Sequence, residues 1–205
     1  MTNQLNIYKP TKNFPKGNGS AFQFKPSVKR NSKGMLEPCI FVEAVAQSQP
    51  KPQQGVAKES AFVWVTKDKD GKLHDHPSKI VFCLSITDLT KIDAFLGAAS
   101  EIRTARMVLN SLQRGSKHVQ VETPQIDMRL THQTKRDDKE VTKGFSLEYA
   151  SGQDNDPLMK LTSNAGVGHN VIKTYLKPEE QSALLAIVRG VIHRYYFTTW
   201  KKADD

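Results

Sequence analysis

Aromatic and basic residues interleave along several short segments of this chain, and the chemistry they offer together is stacking beside charge neutralisation. The aromatic candidates are Phe22, Phe24, Phe41, Trp64, Phe145, Tyr149 and Tyr175. The basic candidates on or beside the same segments are Lys16, Lys25, Lys67, Lys79, Arg129, Lys143, Lys160 and Lys173. Unpaired bases need flat π surfaces, and phosphates need mobile cations, so this pattern suits a single-stranded polyanion. Each residue alone also has a plainer explanation, since an aromatic on a strand usually packs in a core and a lysine beside it usually faces water. Phe82 is assigned to the core because Ile80, Phe82, Leu84 and Ile86 share one parity and lead under a helix.

Catalytic chemistry finds less support. His74-Asp75-His76 has metal-ligand character, and His118, His132 and His169 lie elsewhere. In an extended chain His74 and His76 project alternately, and they stand beside Pro77 in a charged turn, so a solvated hairpin is the better reading. GVGH at 166–169 lacks the Lys-Ser/Thr that completes a phosphate-binding loop. No catalysis, cofactor or metal is expected. A metal-dependent nuclease is the minor alternative.

Lysine and arginine number 30 against 21 acids, a formal charge of +9 with a pI near 9.5. Such a balance suggests a polyanionic partner, although ribosomal and membrane-surface proteins share it. Cys39 and Cys83 both sit in apolar, strand-like runs and read as buried free thiols in a reducing compartment. With no apolar leader and no stretch approaching a membrane span, the expectation is a full-length, soluble intracellular protein. It would be cytoplasmic, in the host cytoplasm for a viral chain.

These residues must be positioned by elements, and the most informative stretch is KIVFCLSITDLTKIDAFL, from Lys79 to Leu96. It begins with strand character and switches to helical spacing at Leu89, Ile92 and Leu96, with Phe95 widening the stripe. Ser85 or Thr87 can cap that helix, and Asp88 favours its N-terminal amides. The event repeats at HNVIKTY, 169–175, which runs into a helix opened by Lys177-Pro178-Glu179-Glu180 and continuing to about Trp200.

Other strand candidates are Leu5–Tyr8, Ala21–Lys25, Pro38–Ala46, Ala61–Thr66, Ile126–His132, Phe145–Tyr149 and Leu158–Thr162. Residues 47–58 read as a mobile loop, Asp68–Lys72 as a hairpin turn and 134–144 as a charged loop. Ile102 to Leu112 suggests a second short helix ending at Gly115. Strands then a helix, twice, implies a diverged duplication, with halves at about 1–115 and 116–205 forming one domain of 205 residues. The expected fold is α+β: two antiparallel sheets, each followed by a covering helix.

The order of elements, together with VFCLSITDL entering a helix, resembles the Whirly family and its relatives in the positive-cofactor-four-like single-stranded DNA-binding superfamily. IYK at 7–9, KGNGSAFQFKP at 16–26, GMLEPCIFVEA at 34–44, GFSLEY at 144–149 and VIKTYLKPEE at 171–180 fall in the order of that family's strands. The resemblance implies two four-stranded sheets packed with helices, in tetramers that hold single-stranded nucleic acid along sheet surfaces. KGNGSAF replaces a KGKAAL-like run, and extra material stands at 47–78, 100–118 and 133–143. A phage or bacterial replication-type member is the expectation. It would bind single-stranded DNA with little sequence preference as a homo-oligomer, with RNA binding or annealing as the alternative. The terminal helix carries an apolar stripe wide enough for either a large core or a subunit interface.

Overall fold

The computed structural model describes residues 4–12, 16, 19–112, 126–136, 139–149, 156–164 and 170–201. Ten strands and two long helices occur among them: β1 (Leu5–Lys9), β2 (Ser20–Arg30), β3 (Leu36–Ala46), β4 (Val65–Lys67), β5 (Leu73–Asp75), β6 (Ile80–Leu84), α1 (Ile86–Leu112), β7 (Ile126–Arg136), β8 (Lys139–Tyr149), β9 (Leu158–Ser163), β10 (Asn170–Tyr175) and α2 (Pro178–Lys201). A short 3₁₀ turn covers Lys58–Ala61.

Antiparallel pairing builds one sheet in the order β1-β2-β3-β6 and a second in the order β10-β9-β8-β7, with β4-β5 as a separate hairpin. Sheet, helix, sheet, helix is the expected α+β plan, with the hairpin inserted before the last strand of the first half.

Both helices begin by the same device. After β6, the Ser85 amide donates to Asp88 Oδ2 at 2.9 Å while the Asp88 amide donates to Ser85 Oγ at 3.3 Å, a reciprocal capping box. After β10, the Lys177 amide donates to Glu180 Oε2 at 2.8 Å, three residues on. Each carboxylate thus takes up an orphan amide at a helix N-terminus.

Period-2 alternation sends one face of each sheet inward. Ile7, Phe22, Phe24, Ile40, Val42, Ile80, Phe82 and Leu84 from the first sheet share one core with Leu130, Phe145, Leu147, Tyr149, Met159, Leu161 and Ile172 from the second. Leu89, Ile92 and Leu96 of α1 and Leu184, Val188 and Val191 of α2 complete it. Two polar ties join the helices: Arg103 donates to buried Gln181 at 2.6 Å, and Arg189 meets Asp93 at 2.7 Å.

Several expectations need correction. The run from Ala61 to Thr66 is not one strand: the 3₁₀ turn ends at Ala61 and β4 starts only at Val65. Phe62 packs with Ala21, Val45 and Ala61, so these apolar residues serve burial rather than a ladder. The stretch from Ile102 to Leu112 is not a separate short helix but the continuation of α1, which runs unbroken to Leu112; Gly115 lies outside the described residues. The charged stretch 134–144 is largely strand, because β7 and β8 pair from Ile126↔Tyr149 to Arg136↔Lys139. Two turns are made by glycines at positive φ, Gly34 between β2 and β3 and Gly71 in the DKDGK hairpin, both at 77°.

Candidate nucleic-acid interface

Outward-facing residues of the two sheets define the surfaces available to a ligand, and register decides which residues share a row. On the second sheet Arg129 pairs with Ser146, Ser146 with Lys160 and Lys160 with Lys173. Three cations therefore cross the sheet in one line, perpendicular to the strands. The next row runs Asp127, Glu148, Leu158 and Tyr175, and the row on the other side runs Thr131, Gly144, Thr162 and Val171. Burial alternates along β10, with Val171, Lys173 and Tyr175 exposed and Ile172 and Thr174 buried. Tyr175 is 57% exposed and stands next but one to Lys173 on the same face.

The cations of this row differ in freedom. Lys160 Nζ lies 2.8 Å from Glu148 Oε2, and Arg129 Nε lies 3.2 Å from Asp127 Oδ2 with the guanidinium side chain still 72% exposed. Among the described residues Lys173 has no carboxylate within ion-pair distance. Gly144 contributes no side chain to its row; a Cβ there would lie 2.5 Å from Thr162 Oγ1. Thr162 Oγ1 thus fills the space above Gly144 beside the basic row.

The first sheet presents a different outer face. Lys25 pairs with Phe41 and Phe41 with Cys83, so one half-buried ring lies between a lysine and a thiol. Glu43 neutralises the lysines around it, at 2.7 Å from Lys25 and 3.2 Å from Lys79, and Lys79 also meets Asp75 at 2.9 Å. Burial pulls the Lys79 pKa down, but the hydrogen bonds and charges of Asp75 and Glu43 outweigh it and hold that ammonium above its ordinary value. Residues 61–64 lie over the rest of this face, where Phe62 and half-buried Trp64 pack with Ala21, Val45 and Tyr8. Cys39, on the outward parity yet fully buried, has its thiol pushed up to about 12 by burial and then by Cys83 beside it. It is a protonated, inert thiol at neutral pH.

Four of the expected stacking rings are core. Phe22, Phe24, Phe145 and Tyr149 are at most 1% exposed, because their parity directs them between the sheets. Phe22 and Phe24 face the same way as Ile7, Val42 and Phe82, and Phe145 lies 6.1 Å from Phe82. A buried ring offers no face to a base. Lys143 shares their inward parity at the end of the sheet, and its ammonium donates to the Val81 carbonyl at 3.0 Å, tying the two sheets rather than facing outward. Beside it, His132 stacks on Phe82 at 4.2 Å.

The remaining expected residues fall into separate places. Arg129, Lys160, Lys173 and Tyr175 share the outer face of the second sheet; Lys25, Phe41 and Lys79 belong to the first. Trp64 belongs to the covering segment, Lys67 is exposed on the small hairpin and Lys16 is exposed in the turn before β2. Gly17 and Asn18 of the KGNGSAF run lie outside the described residues, as do His118 and His169. His74 Nε2 lies 2.7 Å from Asp68 and His76 Nδ1 lies 2.8 Å from Ser78 Oγ, so each ring is engaged locally. Among the described residues no three His, Cys, Asp or Glu side chains converge as a metal site would require. No described helix is long and apolar enough to cross a membrane.

The same fold occurs in solved structures. The chain superposes on WHY1 of Arabidopsis thaliana with a TM-score of 0.53 at 14% identity, covering 98% of this chain and 91% of that one. The fold is Whirly-like. WHY3 of the same plant gives 0.52 at 12% identity, with 98% and 92% covered. The trypanosome MRP1/MRP2 structure gives 0.51 at 8% identity, with 98% and 89% covered. No family model matches the chain, and no curated protein matches it in sequence. The likeness to these structures is one of fold, with few of the individual residues in common.

The sequence reading missed the part played by register. Ser146, which joins Arg129 to Lys160, carries no signal of its own. The available clue was alternation: VIKTY and LMKLT each place a lysine opposite in parity to the buried aliphatics.

Proposed function

We propose that this protein binds single-stranded DNA with little sequence preference, protecting exposed strands in replication, recombination or repair, without catalysing a reaction. The whole chain acts as one nucleic-acid-binding unit and assembles as a homo-oligomer, a tetramer on the Whirly analogy. The observation that carries this reading is the line Arg129–Ser146–Lys160–Lys173 across an exposed sheet, with the Tyr175 ring beside its end. Lys160 and Lys173 stand one strand spacing apart, about 5 Å, and Arg129 two spacings further on, about 10 Å; cations so placed can follow a phosphate backbone, and a ring next to them can stack a base whatever its identity. Base-edge readout needs donors and acceptors converging on a pocket, and this row supplies charge and a π face instead. The net charge of +9 and the Whirly-like fold support the same reading.

The outer face of the first sheet contributes Lys25 and Phe41 as a secondary contact. Its lysines share Glu43, whereas Lys173 of the second sheet has no ion-pair partner among the described residues and Tyr175 stands exposed beside it, so the second sheet is the principal path. Stacking and phosphate contact serve RNA as well as DNA, and only a 2′-hydroxyl contact distinguishes them. Binding of matched single-stranded DNA, RNA and duplex DNA, measured by anisotropy at several salt concentrations, tests the proposal. Single-stranded DNA should bind tightest, with a log–log salt slope of about −2 if three phosphates are neutralised at about −0.7 each. A flat salt response, or preference for the duplex, would overturn it; preference for RNA would move the protein to the RNA-binding alternative.

A further inference from the structure

The basic row does not run off the edge of the second sheet into open solvent. Its last strand, β10, lies along the start of β2, where Ser20 Oγ donates to the Lys173 carbonyl at 2.8 Å. Beside this seam is a cleft of about 440 Å³, walled by Lys9 and Ser20 from the first sheet and by Asp156, Leu158, Tyr175 and Lys177 at the end of the second, with Lys173 and Thr174 along its floor. That volume falls in the range of roughly 300–1,000 Å³ typical of small-molecule sites.

Its charges are unequally satisfied. Lys9 is held at 2.6 Å from Glu180, the carboxylate that also caps α2. Among the described residues neither Lys173 nor Lys177 has a carboxylate within ion-pair distance. The cleft's own acid, Asp156, has its pKa raised above the ordinary value, first by burial and against the pull of Arg103 and Lys9. Tyr175 and Leu158 form a flat apolar wall directly opposite each other in the ladder.

Resting on the nucleic-acid reading above, we propose that this cleft receives the phosphorylated end of a single strand. The terminal phosphate lies between Lys173 and Lys177, and the terminal base lies against Tyr175 and Leu158. A strand following the row toward β10 reaches the cleft, whose far side is lined by Lys9 and Ser20 of the first sheet, and its end is placed there. A phosphate monoester carries nearly twice the charge of an internal diester, about −1.5 to −2 at neutral pH, which suits two unpaired ammoniums.

Anisotropy with one oligodeoxynucleotide carrying a 5′-phosphate, a 3′-phosphate or hydroxyls at both ends tests this directly. One phosphorylated form should bind about five-fold more tightly than the hydroxyl form, as expected for a charge-assisted contact of about 1 kcal/mol. Lys177→Ala should erase that preference while leaving the hydroxyl-ended strand's affinity and the thermal midpoint unchanged, and Asp156→Asn should widen it. Equal affinity for all three ends would overturn the proposal while leaving strand binding intact. If no strand binds, it is the underlying nucleic-acid reading that fails. Abolition of the end preference by an equimolar nucleoside monophosphate would assign the cleft to free nucleotides and overturn the strand-end role.

Discussion

Two aromatic rings with similar sequence surroundings have opposite fates, and the difference is measurable. Tyr175 is 57% exposed beside Lys173, whereas Phe24 is fully buried against the second sheet and the helices. Tyr175→Ala should weaken single-strand binding by about 1–3 kcal/mol, the value of one lost stack, with little change in melting. Phe24→Ala should instead lower stability by about 3–5 kcal/mol through lost burial and a cavity, read from denaturant midpoints, with affinity restored wherever the variant is folded. A Tyr175→Ala variant with wild-type affinity would remove that ring from the site. Basic residues divide in the same manner: Lys173→Ala should shallow the salt slope by about 0.7. Lys25→Ala, its charge already matched by Glu43, should change that slope much less.

At the scale of elements, the two strand-to-helix junctions rest on carboxylates three residues into each helix. Ser85 both donates to Asp88 at 2.6 Å and accepts the Asp88 amide, so Ser85→Ala removes the cap and leaves a largely buried carboxylate short of a donor. The expected loss is about 0.5–2 kcal/mol, measured by chemical denaturation, with no change in binding because α1 lies away from the outer faces. The segment over the first sheet is the other element with a consequence. Phe62, 6% exposed, and Trp64 occupy a surface that the second sheet leaves open between Thr131 and Val171. Two sheets built on one plan thus present unequal faces, one partly covered by residues 61–64 and the other open at Lys173 and Tyr175.

For the whole molecule, the proposed assembly can be tested at the end of α2. Leu184, Val188 and Val191 belong to the protomer's own core, and Val188 is fully buried. Past them Tyr196 and Phe197 are 57% and 58% exposed on the same helix. Tyr196→Asp with Phe197→Asp should yield a smaller species by light scattering with the circular dichroism of the folded sheets retained. Val188→Asp should unfold the chain, because it places a charge in the shared core. Unchanged mass in the Tyr196/Phe197 variant would place any subunit interface elsewhere.

The strand-to-helix switches at Ser85 and Pro178, the β1, β3, β9 and β10 segments, the core role of Phe82 and the duplicated plan were legible in the sequence because each is local. A cap, a first-turn proline and a change of period all act within a few residues. Lys173 and Tyr175 were likewise legible as outward residues from the alternation of VIKTY. What needed the tertiary structure was everything set by pairing across distant segments. An alternating strand has two faces and no internal mark of which is inward, so Phe22 and Phe24 read equally well as platform or core until β2 is seen over the second sheet. Register alone joined Arg129, Lys160 and Lys173, which are 31 and 13 residues apart, into one row. It also turned Lys143 inward to the Val81 carbonyl and closed the cleft between Lys9 and Lys177. Composition determined that the chain is basic; packing decided where that charge stays exposed.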